Sequence, residues 1–233
     1  MIGHFLKINE LSSAQVNNMY KLMCSHFDGV SPHKFKSDLD AKTGALLIED
    51  KGKLVGFSTM LYRQEHTSAF IYSGDTIMDP SVWNSSAMAR CWIKSVLNLH
   101  TDNTSLYWLL ISSGIRTYRF LPTFWQRFYP HPEQESPFLK DKSAALALEL
   151  FGRKYDPNTG LVVFDNPQVL RTHLRDVPAR LARDPFVRFF ETVNPKHYLG
   201  DELVCLTQIS IDNLTPAGHR MVFGRSPLFT HQS

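Results

Sequence analysis

Between residues 44 and 112 the hydrophobic pattern changes period twice, and that change admits few folds. The stretch "GALLIED", the Lys51-Gly52 turn and "KLVGFSTMLYRQ" form two apolar, β-branched runs around a short glycine-containing loop, which predicts a hairpin. "SAFIYSGDTIM" continues as a third consecutive strand. The period then becomes helical: Met88, Cys91, Trp92, Val96 and Leu99 lie on one stripe. "SLYWLLIS" follows, apolar on both faces as a buried parallel strand is. A right-handed crossover brings the strand at 106–111 alongside the strand at 69–78.

The flanks extend this unit. "HFLKI" reads as a strand, and Ser12 or Ser13 caps a helix whose Val16, Met19, Tyr20, Met23 and Phe27 recur at helical spacing. A second helix is predicted from Ser31-Pro32 to about Lys42. After the buried strand, "GIRTYRFLPTFWQRFYPHPEQESP" predicts an aromatic-rich helix interrupted at Pro122 and ended by the prolines at 130–137. "KSAALALELFGRKY" predicts another, and the turn "DPNTG" leads into a short strand, "LVVF". Helical pieces over about 167–182 and 185–193, a last strand "LVCLTQI" and an irregular tail beyond Asn213 complete the reading. No linker interrupts the chain, so residues 1–233 are expected to form one domain with helical additions after about 140.

With 43% hydrophobic and 20% charged residues, the chain can bury a substantial core. A net charge of +3 is too small for the concentrated basic face of a nucleic-acid binder. The charge is nevertheless uneven. Arg116, Arg119, Arg127, Lys140, Lys142, Arg153 and Lys154 fall in one run, and Arg171, Arg175, Arg180, Arg183 and Arg188 in another. Such runs are either solvated faces or the complement of an acidic partner, such as a phosphorylated cofactor or a carrier protein. Cys24, Cys91 and Cys205 are odd in number and far apart, which argues against a disulfide framework. The opening "MIGHFLKINELSS" lacks the pattern of a secretory signal, and "LYWLLI" is too short to span a bilayer, so the expected location is the cytoplasm. The ten histidines show no metal-ligand spacing, so no metal is expected, and neither a G-x-S-x-G elbow nor a Walker loop is present.

Residues 75–97, "DTIMDPSVWNSSAMARCWIKSVL", aim a strand at the start of a helix. The first turn of a helix presents unpaired N–H groups and the positive end of its dipole, a seat for an anion. Asn84 or Ser85 acting as a plain cap is the other reading.

The order of elements resembles the GNAT superfamily of N-acyltransferases, well over about 1–130 and loosely over 160–210. The resemblance implies an α/β fold: a mixed, mostly antiparallel sheet with helices on both faces and a splayed parallel strand pair. It implies an acyl thioester donor, acyl-CoA or the acyl-phosphopantetheine of an acyl carrier protein, and a small-molecule or peptide amine acceptor, such as an amino acid or polyamine. The family's phosphate loop is Arg/Gln-x-x-Gly-x-Gly/Ala; the aligned Trp83, Asn84, Ser85, Ser86, Ala87 and Met88 have neither the basic residue nor the glycines. The aromatic run from Tyr118 to Tyr129 and the late helices resemble members that handle long acyl chains, among them the N-acyl amino acid synthases. By the same resemblance Asp75 is the expected base and Tyr118 the acid for the departing thiolate, with Tyr129 as its substitute. The backbone N–H of Ile77 or Met78 would polarise the thioester carbonyl. The missing glycines keep a second reading open, a non-catalytic binding or regulatory protein on the same fold.

Overall fold

A computed structural model describes residues 1–99, 104–175 and 177–224. In chain order the elements are β1 (Ile2–Lys7), α1 (Ser13–His26), β2 (Phe27–Asp28), α2 (Pro32–Asp40), β3 (Gly44–Asp50), β4 (Lys53–Gln64), β5 (Ser68–Met78), α3 (Ala87–Leu99), β6 (Ser105–Ser112), α4 (Ile115–Tyr118), α5 (Phe120–Phe124), β7 (Phe128–Tyr129), α6 (Pro137–Phe151), β8 (Tyr155–Asp156), β9 (Leu161–Val162), β10 (Val169–Leu170), α7 (Thr172–Arg175), α8 (Pro185–Val193), β11 (Glu202–Ile209) and α9 (Pro216–Phe223). The main sheet runs β1-β3-β4-β5-β6-β11-β9-β8, with β7 also on β11, and β10 pairs with β2 apart from it. Its pairs are antiparallel except β5 with β6, which run parallel.

Strand alternation sends side chains to two faces, and helices cover both. Ala45, Leu47, Phe57 and Ile77 meet Met19, Met23, Phe35 and Leu39 of α1 and α2. On that same side Phe70, Leu109, Val204 and Leu206 meet Leu139, Leu146 and Ala147 of α6. The opposite side packs Ile48, Ile71, Trp108 and Cys205 against Trp92 and Val96 of α3, Tyr118 of α4 and Phe190 of α8. Ser12 caps α1, and Ser31 with Pro32 starts α2, where the sequence signals stand.

Three expectations give way. Residues 115–129 form α4, α5 and the short β7 rather than one helix. Pro122 sits in the first turn of α5, where its missing N–H costs nothing, and Gln126 N–H donates to Asn213 O at 2.8 Å, drawing the chain out along the tail. Residues 167–182 are mostly not helical: Val169 and Leu170 pair with Asp28 and Phe27, and Pro178 separates α7 from a single 3₁₀ turn at 179–181. Cross-strand pairing there overrides helical propensity. Beyond Asn213 the tail is helical over Pro216–Phe223, with Thr215 accepting from Gly218 N–H at 3.1 Å and proline at the first position.

Trp92, 2% exposed, lies 4.2 Å between ring centroids from Trp108 and 5.9 Å from Phe120. Trp92→Ala is expected to destabilise the fold by about 3–5 kcal/mol in urea denaturation. Truncating Phe138, 61% exposed on α6, should stay within about 0.5 kcal/mol.

Candidate functional site

Parallel pairing of β5 with β6 runs from Ser68–Ser105 to Ser73–Leu110 and stops. Beyond it β5 continues to Met78 on β4 alone, while β6 continues to Ser112 on β11. The two strands fork, and a cavity of about 1000 Å³ occupies the fork.

A bulge sits at the crotch. Ser58 faces Thr76 while Met60 faces Ser73, so Thr59 alone stands against both Gly74 and Asp75. The extra residue reverses the faces of the strand. Ile71 and Ile77 are six apart and would share a face in a regular strand, yet they join cores on opposite sides of the sheet. Asp75 is thereby turned to the side of Tyr72 and of α1 and α2. Its N–H donates to Thr59 Oγ1 at 3.1 Å. Its carboxylate has no hydrogen bond or ion pair among the described residues, and burial, which outweighs the opposing charge of Lys42, pushes its pKa up to about 6.

Around Asp75 the cavity carries Tyr72, Glu202, Lys34 and Lys42. Glu202 opens β11 and shares a side of the sheet with Val204 and Leu206. Burial, then repulsion from Asp75, raises its pKa to about 8. Burial likewise raises the Tyr72 phenol well above its ordinary value, with Glu202 and Asp75 adding to the effect. A Cβ placed on Gly74 would lie 3.0 Å from Lys42 Cε and 3.2 Å from Thr59 Oγ1, so the bare glycine lets the Lys42 side chain lie over the bulge.

The opposite wall is cationic. Arg116 of α4 lies 4.0 Å above the ring of Trp83, whose indole N–H donates to Met78 O at 2.7 Å. Arg119 and Arg180 line the cavity with it. Burial lowers the pKa of Arg116, and the charges of Arg180 and Arg119 lower it further. Arg119 is paired with Asp184 at 2.9 Å, whereas Arg116 and Arg180 have no carboxylate partner among the described residues. Arg116 and Arg180, both exposed, thus leave this wall with positive charge that no carboxylate of the described residues offsets directly.

Of the residues singled out by sequence, Asp75, Ile77, Met78, Trp83, Ser85, Ser86 and Met88 line this cavity, while Asn84 and Ala87 do not. Ser85 Oγ accepts from Ala87 N–H at 3.0 Å, so Ser85 ties down the first N–H of α3 from one position before its N-cap, Ser86, whose carbonyl accepts from Arg90 N–H. Ser86 Oγ accepts from Arg90 Nη2 at 3.0 Å. Asp79 N–H donates to Val55 O at 2.8 Å, so alternation turns Ile77 N–H toward β4 and Met78 N–H into the fork. Tyr118 does not reach the cavity. It is fully buried, and its hydroxyl donates to Pro130 O at 2.9 Å, so its proton is engaged in the core. Tyr129 pairs with Leu206 across β7 and β11 and packs among the α6 residues, also away from the fork. Glu202, Lys34 and Lys42 carried no sequence signal, because tertiary structure alone brings them to Asp75. Gly74 within a strand was the one local sign of the bulge.

No family model and no curated protein matches the sequence. Among solved structures, the chain is similar to Escherichia coli ElaA at 16% identity, with a TM-score of 0.38 over 56% of this chain and 93% of that one. It is similar to an aminoglycoside acetyltransferase from an uncultured soil metagenomic sample at 11% identity, TM-score 0.39, over 51% and 81% of the two chains. A ribosomal-protein-alanine N-acetyltransferase from Brucella melitensis biovar Abortus 2308 matches at 15% identity, TM-score 0.38, over 47% and 79%. Scores of this size leave function to be argued from the chain's own residues. Among the described residues, no helix is long and apolar enough to cross a membrane, and no group of three or more His, Cys, Asp or Glu is placed to hold a metal.

Glu202 makes the site sensitive to pH. Its carboxyl holds a proton to about pH 8 when folded, against an ordinary value of 4.5. The stability this provides is full below the ordinary value and is lost as pH rises through about 8. Glu202→Gln removes the ionisation, so the melting temperature of the variant relative to wild type is expected to climb from acid pH toward pH ~9, by about 2–4 °C for each kcal/mol relieved. Thermal melts across that range check it; a flat difference would mean that Glu202 ionises freely.

Proposed function

We propose that this protein is an N-acyltransferase that moves an acyl group from a coenzyme A thioester to an amine. One observation carries the reading: a bulged strand parts from its parallel neighbour and delivers a carboxylate of raised pKa, Asp75, to a cavity whose far wall is lined with arginines. The arginines suit the phosphates of the donor, a role the residues from Trp83 to Met88 lack the glycines to fill alone. Met78 N–H, turned into the fork, suits the thioester oxygen as negative charge grows on it. Asp75, titrating near neutrality, takes a proton from the acceptor ammonium. Glu202, still protonated at neutral pH, returns a proton to the thiolate, the part that Tyr118 is too buried to play.

The acyl group is longer than acetyl, because Met88, Trp92, Trp108, Phe120 and Phe124 give one end of the cavity an apolar lining.

Calorimetry with CoA and transfer assays with acetyl- and long-chain acyl-CoA test the reading. Asp75→Asn is expected to lower turnover by about 10²-fold with little change in CoA affinity. Arg116→Ala is expected to weaken CoA binding about tenfold while the fold melts normally. Tight CoA binding without transfer at any acyl length would support the non-catalytic binding protein instead, and transfer from acyl carrier protein alone would reassign the donor.

A further inference from the structure

Charges of both signs face one another at the Asp75 end of the cavity without pairing. Lys42 Nζ donates to Asp38 O at 3.2 Å and lies 5.4 Å from the centre of the Tyr72 ring. Lys34 Nζ donates to Asn166 O at 3.2 Å. Each ammonium is thus held by a carbonyl of the wall, and among the described residues neither forms an ion pair with Asp75 or Glu202. Separated charges around a void leave a field whose complement carries both signs at short range. A diamine would set its second cation against the two lysines. A simple amine would leave them only the rings of Tyr72 and Phe164 and the side chain of Asp38, which also lines the cavity. Both lysines are on or beside α2, and the segment that holds Lys34, at Asn166, is fixed by the pairing of β10 with β2.

Resting on the transferase reading, we infer that the acceptor is a free α-amino acid, its amino group at Asp75 and its carboxylate at Lys42 and Lys34. In the reaction the nitrogen bonds to the thioester carbonyl carbon and the carbon–sulfur bond breaks. Of the two protons the ammonium sheds, one passes to Asp75 and on to solvent. The other replaces the proton that Glu202 gives to the departing thiolate, so the products are an N-acyl amino acid and free thiol.

Isothermal titration of the whole protein with the twenty coded amino acids, the carboxamide of each one that binds, and a four-carbon diamine tests the inference. At least one amino acid is expected to bind ten times or more tightly than its carboxamide and than the diamine. Lys42→Met should bring amino acid and carboxamide within about twofold of each other, through loss of affinity for the amino acid. Lys34→Met serves the same purpose if the first variant melts abnormally. Equal binding of carboxamide or diamine would overturn the inference, as would a protein that binds CoA but none of the twenty amino acids. Amino-acid binding in a protein that neither binds CoA nor transfers acyl groups would overturn the transferase reading alone.

Discussion

A sheet that parts in its middle leaves backbone groups without ladder partners, at about 1–3 kcal/mol for each one buried dry. In this chain the end of the β5–β6 ladder at Ser73 and Leu110 imposes that requirement, and the surrounding residues meet it. Met78 O accepts from the Trp83 indole and from His26 Nε2 at 2.9 Å. At the crotch, Trp108 Nε1 donates to Ser73 Oγ at 2.8 Å, binding the last paired residue of one strand to the other. Trp92 then closes on Trp108 from α3. The fork is therefore held open by hydrogen bonds and large rings.

Because the fork passes through the sheet, its two sides can differ electrically. The side of α3 and α4 gathers Arg116, Arg119 and Arg180, and the side of α1 and α2 gathers carboxylates with Lys34 and Lys42. A polyanion and a smaller charged molecule can approach from opposite sides and meet where Asp75 stands. Such separation keeps the arginines away from Asp75, and none of them is among the charges that act on its carboxyl. It also leaves burial as the largest influence on Asp75 and Glu202, and hence keeps their protons mobile near neutral pH.

The late part of the chain builds much of the second wall. Arg180 and the β10 segment come from residues for which helical propensity alone predicted a helix, and their shape follows from partners far away in sequence. Arg171 N–H donates to His26 O at 2.8 Å, and Lys34 reaches Asn166. Contacts of this span are set by packing and cannot be read from local periodicity.

What the sequence determined by itself is whatever local physics dictates. The hairpin of β3 and β4, the helices begun by Ser12 and by Ser31-Pro32, the stripe of α3 and the doubly apolar β6 are all legible because period and capping act over a few residues. Asp75 stands out in the sequence as a carboxylate beside a glycine in an otherwise apolar strand. Tyr118 was read by its position after β6, but whether a phenol on a short helix faces a cavity or the core depends on what packs against it. Phe190 and Pro130, distant in sequence, turn it inward. Glu202 and Lys42 lie far apart in the chain, and only the tertiary fold brings them to one end of the cavity, with Arg180 on its other wall. The bulge joins the two levels: Gly74 announces it locally, but the register of β4 against β5, a property of the assembled sheet, decides that Asp75 turns to the side of α1 and α2.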